Sequence, residues 1–368
     1  MVTVRDIMDS VTCIAPLNLQ EDYDNSGLII GDERAVVRNC LITLDVTEKV
    51  VDEALKKDCN LIVSHHPLIF RGLKRLTGKN DLERSVMKAI QNDISIVSMH
   101  TNLDNSLLGV NRKLADKLGL LKTRILKPMS GKLLKVSVYC PLKSAELVRN
   151  AMFEAGAGSI GNYDQCSFSV AGKGSFRAQA GTHPFVGEIG KLHLEDEMLI
   201  QVVVPDYALD KVIHAMKQVH PYEEVAFDIF QLQNDFEQVG AGMIGELERE
   251  KTEKEFLAHV CEVIGIPCLR HSHLLGKKVK TVAICGGSGF FLLPDARRNQ
   301  ADVFLTADVK YHEFFEADSK ILLVDGGHFE TEQFTKELIA ELIQKKNATF
   351  VPLIAETKTN SVEYFCKN

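Results

Sequence analysis

Apolar runs alternate with helically spaced apolar positions in the first third of the chain and again in the last third. In the first third, the pattern predicts a strand, a helix, a strand, a helix and a strand at residues 36–45, 47–57, 61–64, 82–92 and 94–100. In the last third, the alternating segments are residues 279–285, 296–300, 303–306, 311–317, 321–325 and 330–346, of which 311–317 and 330–346 have helical spacing. This alternation predicts parallel strands joined by right-handed crossovers, so both ends of the chain are expected to be α/β.

The middle of the chain has a different order of elements. Strands are predicted at 133–140, 165–170, 187–194, 198–204 and 225–232, and helices at 144–155 and 208–219. A strand, a helix, further strands, a helix and a final strand form the order expected of a ferredoxin-like sandwich. We therefore predict an α/β half at residues 1–128, an inserted ferredoxin-like α+β domain at 129–235, and a second α/β half at 236–368.

The composition is that of an ordinary globular protein, with 45% hydrophobic and 25% charged residues among 368. The chain has no run of about 18 apolar residues, and Asp6 and Asp9 interrupt its start where a signal peptide would be apolar. Its nine cysteines are scattered without a CxxC pair, which argues against a disulfide framework or a thiolate zinc site. The net charge of -7 disfavours nucleic-acid binding. We expect a cytoplasmic protein that does not bind membranes.

Two adjacent histidines, His65 and His66, directly follow the predicted strand 61–64. Open α/β sheets place their ligand crevice at the carboxyl ends of strands, so a site is expected here. Neighbouring side chains in a continuing strand point to opposite faces, but Pro67 favours an end of the strand, after which both imidazoles can converge. The alternative is a histidine pair on a surface loop.

A second pair of candidates, His100 and Asp104, lies at the carboxyl end of the next predicted strand. Neighbouring parallel strands deliver their carboxyl ends to one rim, so these side chains are expected near His65 and His66. The alternative is that His100 is a hydrogen-bonded core histidine and that Asp104 caps a helix.

A third pair, His328 and Glu332, follows the predicted strand 321–325 and two glycines. Because they are four residues apart on a helix, the two side chains share one face and can reach a single ion. Glu330 would face elsewhere and has the weaker claim. The alternative is an exposed pair that only supports the helix.

The three pairs together predict a metal centre with nitrogen and oxygen ligands and no thiolate. Such ligands suit Zn, Fe(II), Mn, Ni or Co. Five or six of them exceed the three that a catalytic zinc takes from a protein, whereas two ions about 3.5–4 Å apart and bridged by a carboxylate would use them all. Such a pair lowers the pKa of a bridging water and polarises a carbonyl or phosphoryl oxygen, which is hydrolysis chemistry. The two α/β halves would then form one metal-binding core.

Short polar motifs occur in both predicted α/β halves. They are DNSGL at 24–28 with Gly31, LDVT at 44–47, SHHP at 64–67, HTNLD at 100–104, TADVKYH at 306–312, and GH at 327–328 with Glu332. In this order they resemble the GTP cyclohydrolase I type 2 homologues, also called dinuclear metal-centre or NGG-interacting-factor-like proteins. The resemblance implies that Glu332 bridges the metals, that His100 lies close by, and that the ligands are His65, His66, Asp104, His328 and Glu332.

The middle region resembles the inserted module of the longer bacterial members of that family, which is similar to PII-like or CutA-like domains. The segment HPYEE at 220–224 matches its signature. The resemblance further implies a homo-oligomer, a toroidal hexamer with the metal sites facing an internal cavity. The chain departs from the family pattern at Tyr23, where Trp is frequent, and at Met243, where Arg is common. Neither position is an implied ligand, but the missing arginine weakens a contact to an anionic substrate there.

Three further patterns carry weaker signals. CGGSG at 285–289 has backbone N–H groups that could cradle a phosphate, but it lacks the Lys-Ser/Thr of a P-loop and favours a tight turn. His271 and His273 form a metal-like pair that is more typical of a solvated loop. Three polar residues, Asp308, Lys310 and His312, follow the predicted strand 303–306. We expect them to support the metal ligands or to contact a substrate.

The ligand set predicts a metal-dependent hydrolase that acts through a metal-bound water, with two divalent ions per subunit, and the family resemblance implies a nucleotide or related heterocycle as its substrate. Zinc is the first expectation, with iron or manganese as alternatives. His100 is the catalytic candidate, because imidazole titrates near neutral pH and can shuttle protons. The alternative is a non-enzymatic metal-binding or regulatory oligomer whose inserted domain binds a small ligand or a partner.

Overall fold

The chain folds into two compact units in a computed structural model that describes residues 1–365. The second unit is Met129–Glu237, and the first unit comprises the described residues on either side of it. No helix in residues 1–365 is long and apolar enough to cross a lipid bilayer, and no disulfide joins the cysteines of this range. Cys366, the last of the nine cysteines, lies outside the described residues.

The elements are short in most of the chain. The α-helices are α1 (Val4–Thr12), α2 (Glu48–Lys56), α3 (Asp81–Gln91), α4 (Thr101–Asp104), α5 (Val110–Lys117), α6 (Ala145–Glu154), α7 (Leu209–Val219), α8 (Glu253–Ile264), α9 (Leu293–Arg298), α10 (His328–Glu332) and α11 (Thr335–Lys346). The strands are β1 (Gly27–Ile30), β2 (Cys40–Thr43), β3 (Leu61–Ser64), β4 (Ser95–Ser98), β5 (Leu120–Ser130), β6 (Leu133–Pro141), β7 (Ser167–Arg177), β8 (Leu192–Pro205), β9 (Phe227–Gln231), β10 (Asp235–Thr252), β11 (Arg270–His271), β12 (Lys278–Ser288), β13 (Val303–Ala307), β14 (Leu322–Asp325) and β15 (Leu353–Ile354). Short 3-10 helices cover Leu17–Leu19, Leu142–Ser144, Asp206–Ala208, Phe290–Leu292 and Tyr311–Ala317.

The first sheet of the first unit has the strand order β1-β4-β3-β2-β15. Strands β15, β2, β3 and β4 run parallel, and β1 pairs antiparallel with β4 at one edge. Every residue of β2, β3 and β4 is buried, because helices cover both faces of a parallel sheet. Ile7 of α1 and Ile339 of α11 pack on one face, and Val50 of α2 packs on the other. The carboxyl ends of these strands are thereby fixed at one edge.

The second sheet of the first unit has the strand order β11-β14-β13-β12-β10-β5. Strands β12, β13 and β14 run parallel, whereas β10 and β11 pair antiparallel with β12 and β14. Phe256 of α8 and Phe304 of β13 are fully buried in separate hydrophobic clusters, which cover the two faces of this sheet. The carboxyl end of β14 leads directly toward α10.

The second unit contains one antiparallel sheet of strand order β7-β8-β6-β9. Helices α6 and α7 pack on it through Met152 and Met216, which are fully buried beside Val138 and Ile200 of the sheet. Along the chain the elements follow the order strand, helix, strand, strand, helix, strand. The interpretation as an inserted ferredoxin-like domain, and the domain bounds 1–128, 129–235 and 236–368, stay predictions.

Some predicted elements are wrong in extent. Residues 192–194 of the predicted strand 187–194 and the whole predicted strand 198–204 belong to one strand, β8, whose pairing with β7 and β6 is continuous, whereas residues 187–191 lie outside any strand. The predicted helix 330–346 is interrupted where Gln333 donates its side-chain amide to the carbonyl oxygens of Ile264 and Glu330. Residues 311–317 form a 3-10 helix. Strand β10 was not predicted, because Gly240, Gly242 and Gly245 interrupt its apolar pattern.

Candidate metal centre

Three strand ends of the first unit carry histidines to one place. β3 is followed by His65 and His66, β4 is followed by His100 after one residue, and β14 leads through Gly327 to His328. Gly327 has a φ of +79°, and a Cβ atom there would lie 2.2 Å from Glu330 Oε2, so this entry into α10 requires glycine. The site lies at the carboxyl ends of strands from both sheets, where α/β proteins place ligands.

His65 and His66 converge because β3 ends at Ser64. Their backbone N–H groups donate to the carbonyl oxygens of Thr43 and Leu44, at 3.3 and 3.0 Å. Ser64 Oγ donates to the His66 carbonyl oxygen at 2.8 Å and closes the turn. The two ring centroids are 4.8 Å apart, and the His65 side chain is fully buried. The alternative of a histidine pair on a surface loop is therefore wrong.

The imidazoles of the three predicted histidine ligands are each oriented by an oxygen that binds Nδ1. The pairs, each at 2.7 Å, are His65 with the Met99 carbonyl, His66 with Asp45 Oδ1, and His328 with Asp308 Oδ2. Because these oxygens accept, Nδ1 carries the hydrogen, and in the neutral imidazole Nε2 keeps its lone pair. Proteins orient histidine ligands of metals in the same way.

Glu332 lies between two groups of donor atoms. Its Oε2 atom is 3.0 Å from His66 Nε2 and 3.1 Å from His328 Nε2. Its Oε1 atom is 3.8 Å from His65 Nε2, and Asp104 Oδ1 is 3.6 Å from that same nitrogen. Within each group, the candidate ligand atoms lie within 4.8 Å of one another. The structure thus brings the five predicted residues together in a cluster that could hold a metal ion.

Two atoms of this cluster, His65 Nε2 and Glu332 Oε2, are buried without a hydrogen bond of acceptable geometry. An unsatisfied buried polar atom costs about 1–3 kcal/mol, and more when the group is charged. A cation bound beside each of these atoms would remove this cost. Imidazole nitrogen and carboxylate oxygen are donors that Zn, Fe and Mn accept. The residues present therefore fit a divalent metal ion.

The carboxylates set the charge of the imidazoles. Burial keeps the pKa of His65 below its usual value. For His66, burial is outweighed by the Asp45 carboxylate at Nδ1 and by the Glu332 carboxylate 3.0 Å from Nε2, which together raise its pKa to about 10. Burial is also outweighed at His328, where Glu332 raises the pKa to about 9. His66 and His328 are therefore protonated and balance the negative charge of the carboxylates. A bound cation would supply this positive charge in place of the two protons.

The two carboxyl groups of the cluster differ in charge. Burial raises the pKa of Asp104 well above its usual value, and the neighbouring Glu332 carboxylate raises it further. Burial opposes ionisation of Glu332 as well, but the imidazoles of His328 and His65 outweigh it and hold the pKa of Glu332 well below its usual value. Glu332 is therefore the anion at the centre of the cluster.

His100 forms a further group of candidate ligand atoms with His65 and His66, and it is held by a separate carboxylate. Its Nδ1 atom bonds Asp24 Oδ1 at 2.7 Å, and its ring centroid is 5.3 Å from that of His65. The Asp24 side chain is fully buried. Burial opposes its ionisation, but hydrogen bonds from His100 and Thr101 outweigh this and hold the pKa of Asp24 well below its usual value. The His100 side chain is 17% exposed and lines a cavity, so the ring is not enclosed in a core.

Two cavities reach the cluster. The larger, of about 590 Å³, is lined by His66, His328 and residues 359–362, among others. The smaller, of about 250 Å³, is lined by His100 and Glu332, and His328 borders it as well. A small molecule can therefore approach both donor groups that share Glu332.

Several residues that support the site were not assigned a role from the sequence. Asp24 and Asp45 stand in the motifs DNSGL and LDVT, so the resemblance marked their segments without indicating what they bind. Thr359 Oγ1 donates to Asp45 Oδ2 at 2.9 Å. No pattern marked Thr359, because a threonine in an irregular C-terminal segment has no periodic context. Asp308, which was expected near the centre, contacts His328.

Other candidates lie outside the cluster. Glu330 accepts a hydrogen bond from Asn360 Nδ2 at 2.9 Å and faces away from the cluster, as predicted. Within residues 1–365, neither His271 nor His273 belongs to a group of candidate ligands. His312 stacks on Phe315 instead.

Residues 285–288 are not the predicted tight turn but the end of β12, where the pairing with β13 shifts register, and the N–H groups of this segment are used by the protein. The backbone N–H groups of Gly286, Gly287 and Gly289 donate to side-chain oxygens at 2.9, 3.0 and 2.8 Å, and the acceptors are Asn111, Thr331 and Thr306. These donors are not available to a phosphate. This end of β12 brings Gly287 against Glu332, since a Cβ atom at Gly287 would lie 2.1 Å from Glu332 Oε1.

The similarity to known proteins covers both units and all candidate ligands. Residues 2–361 match the family Duf34/NIF3 (NGG1p interacting factor 3). A Bacillus subtilis (strain 168) protein described as a GTP cyclohydrolase 1 type 2 homolog is 39% identical over 365 residues, which are 98% of each chain. The solved structure of a Bacillus cereus protein related to NIF3 covers 99% of each chain with a TM-score of 0.87 and 37% identity. A solved Staphylococcus aureus protein covers 99% of each chain with a TM-score of 0.78 and 30% identity.

Proposed function

The chain belongs to the Duf34/NIF3 (NGG1p interacting factor 3) family, and from this premise we propose that it is a dinuclear divalent-metal hydrolase of a nucleotide or related heterocycle. Zinc is the proposed metal, and iron or manganese would fit the same donors. Glu332 would bridge the two ions. The proposed ligands are His65, His66, Asp104, His328 and Glu332.

The observation that carries the proposal is the position of Glu332. Its Oε2 atom faces His66 and His328, and its Oε1 atom faces His65 beside Asp104. One catalytic zinc takes about three ligands from a protein. Five donors in two groups that share one carboxylate therefore support two ions.

Bound ions of this kind supply a water of lowered pKa and a Lewis acid for a substrate oxygen. The protein contributes the fixed orientation of the ligands. Asp45 and Asp308 hold His66 and His328 through Nδ1, so both Nε2 atoms point toward Glu332. Loss of a hydrogen bond that orients a metal ligand typically weakens metal binding about 10- to 100-fold.

His100 is proposed to move a proton at its Nε2 atom. Asp24 fixes the ring through Nδ1 and would stabilise the imidazolium that forms when Nε2 accepts a proton. His100 also lines the smaller cavity beside Glu332, where a reacting group would lie. The pair of His100 and Asp24 is the part of the proposed mechanism whose residues are not proposed to bind the metal.

The smaller cavity also supports a planar substrate. Tyr23 and Phe291 line it, and these two residues are 66% and 58% exposed. Exposed rings beside a reactive centre offer faces on which a heterocycle can stack. The relatives' description as GTP cyclohydrolase 1 type 2 homologs agrees with a purine ring as the first compound to test.

The experiment is an assay of formate release from GTP by the full chain loaded in turn with Zn, Fe(II) and Mn. The proposed function predicts turnover with at least one metal, and a much lower rate for Glu332→Gln. The matched control is Glu330→Gln, which changes a neighbouring carboxylate outside the cluster and should retain the rate. Absence of formate with all three metals would exclude GTP, and a screen of phosphoesters and cyclic amides would follow.

A non-enzymatic metal-binding or regulatory oligomer is the second candidate. The observation that favours it is a cavity in the second unit that contains no residue of the metal cluster. A hexamer remains part of both proposals, and light scattering on the 40.9 kDa chain would test it. Failure of the whole substrate screen with a metal-loaded protein would favour this candidate over the hydrolase.

A further inference from the structure

A cavity of about 470 Å³ lies entirely within the second unit. Rings line much of it, including Phe176, Phe185 and Tyr222. The centroids of Phe176 and Phe185 are 6.2 and 6.3 Å from that of Tyr222, with interplanar angles of 56° and 52°. The three rings are therefore inclined around a common space and do not stack on one another.

The segment HPYEE at 220–224 builds this cavity. His220 is buried and donates through Nε2 to the Tyr139 carbonyl oxygen, at 3.0 Å. Its Nδ1 atom accepts from the Tyr222 N–H at 3.1 Å, which closes the turn. Burial lowers the pKa of His220, so the imidazole is neutral and supplies one donor and one acceptor. This turn aims the Tyr222 ring and hydroxyl into the cavity.

A carboxylate without a cationic partner lies beside the rings. Tyr222 donates its hydroxyl to Glu197 Oε1 at 2.9 Å. Burial and this carboxylate raise the pKa of Tyr222, so the hydroxyl keeps its proton. A Cβ atom at Gly174 would lie 2.0 Å from Glu197 Oε2, so the carboxylate rests directly on the backbone there. Glu197 forms no ion pair with any residue in the described part of the chain, whereas the adjacent Asp196 pairs with Lys173.

The charge of the lining is negative. Glu197, Glu223 and Glu224 line the cavity, and Arg177 is the one basic side chain among its lining residues within residues 1–365. Glu223 accepts a hydrogen bond from the His183 N–H at 2.9 Å, which fixes the loop that carries Phe185. Aromatic faces attract a cation through their quadrupoles, and an adjacent carboxylate adds charge attraction.

We propose that this cavity binds an organic cation, a small molecule whose ammonium group sits among Phe176, Phe185 and Tyr222 and against Glu197. The ring faces would contact the methyl or methylene groups of the ligand, and Glu197 would balance its charge. A neutral molecule of the same shape would gain the apolar contacts alone. The inference does not depend on the metal centre, because no proposed metal ligand lines this cavity.

The test is calorimetric titration of the full chain with choline and benzyltrimethylammonium, and with 3,3-dimethylbutan-1-ol, the neutral carbon analogue of choline. The proposal predicts that at least one cation binds and that choline binds roughly tenfold or more tightly than the alcohol, as cation–π energies of desolvated sites imply. Equal binding of choline and the alcohol, or no binding of either cation at millimolar concentration, would overturn it.

Substitutions test whether the cation binds in this cavity. Glu197→Gln should weaken binding of the cation about tenfold, whereas Asp196→Asn, on the opposite face of the same strand, should leave it unchanged. Phe185→Leu should weaken it, and Phe168→Leu should not, because both rings are exposed but only Phe185 lines the cavity. Both Phe positions are on the surface, so the fold should survive. Equal affinities across all four variants would place the cation elsewhere and contradict the proposal.

Discussion

Thr359 donates its hydroxyl to Asp45 Oδ2 at 2.9 Å, although 314 positions separate the two residues. The other oxygen of Asp45 binds His66 Nδ1 at 2.7 Å. The segment after β15 is therefore linked to an imidazole of the cluster through one carboxylate. The same segment lines the larger cavity at residues 359–362.

Thr359→Val is expected to weaken metal binding by roughly threefold to tenfold. The substitution keeps the shape and removes the donor that fixes Asp45, so His66 loses part of its orientation. Competition against a chelator of known affinity measures the change. Thr359→Ser retains the hydroxyl and should restore binding. An affinity that is the same in wild type and Thr359→Val would show that Asp45 does not need this contact.

Gly287→Ala should lose metal, whereas Gly286→Ala should keep it. A Cβ atom at Gly287 would lie 2.1 Å from Glu332 Oε1, and the residue has a φ of +63°. At Gly286 the nearest atom of Glu332 would be Cγ, at an ordinary 3.4 Å. Metal content per folded chain compares the pair. Equal metal content in the two variants would contradict a role for the Glu332 carboxylate position.

The buried strands and the histidines after them could be predicted from the sequence. Short apolar runs identify β3 and β14, and polar residues at their carboxyl ends differ clearly from them. The i,i+4 relation of His328 and Glu332 also follows from helical spacing alone. These parts depend on local pattern, which the sequence contains.

The partners of these ligands could not be derived from local pattern. Asp24 contacts His100 and Thr359 contacts Asp45 across long stretches of chain, and no periodicity encodes such pairs. The convergence of two sheets likewise depends on tertiary packing. Strand β10 was missed for a different reason, since its glycines resemble loop composition.

His100→Gln should retain both metals and lose activity. His100 lies beside the cluster and is not among the proposed ligands, so its removal should leave the metal content unchanged, while loss of proton transfer should lower kcat about 100-fold or more. Asp24→Asn should act in the same direction, because Asp24 positions the ring. Parallel measurement of metal content and turnover checks this. A fall in metal content in His100→Gln would instead identify His100 as a ligand.

Glu53→Gln should lower stability by about 2 kcal/mol near neutral pH, as loss of a charged, buried hydrogen-bond acceptor does. Burial opposes ionisation of Glu53, but Lys57, Thr357 and the N–H groups of residues 356 and 357 outweigh it and lower its pKa to about 2. A lowered pKa stabilises the folded state above the unfolded value of 4.5, and this stabilisation is lost as pH falls toward 2.

Urea unfolding between pH 7 and pH 3 measures this difference, which should shrink as the pH falls. Glu356→Gln is the control, because Glu356 also pairs with Lys57 but its side chain is 84% exposed, so its removal should change stability by less than about 1 kcal/mol. A difference between wild type and Glu53→Gln that does not vary with pH would contradict the pKa of Glu53.

The most direct test of the metal centre is elemental analysis of the full chain purified without added metal. The two donor groups that share Glu332 predict about two divalent ions per chain. Glu332→Gln should reduce this to about one or fewer while the fold, followed by circular dichroism, is retained, and Glu330→Gln should leave it unchanged. A single ion in the wild type, or an unchanged count in Glu332→Gln, would contradict a dinuclear centre bridged by Glu332.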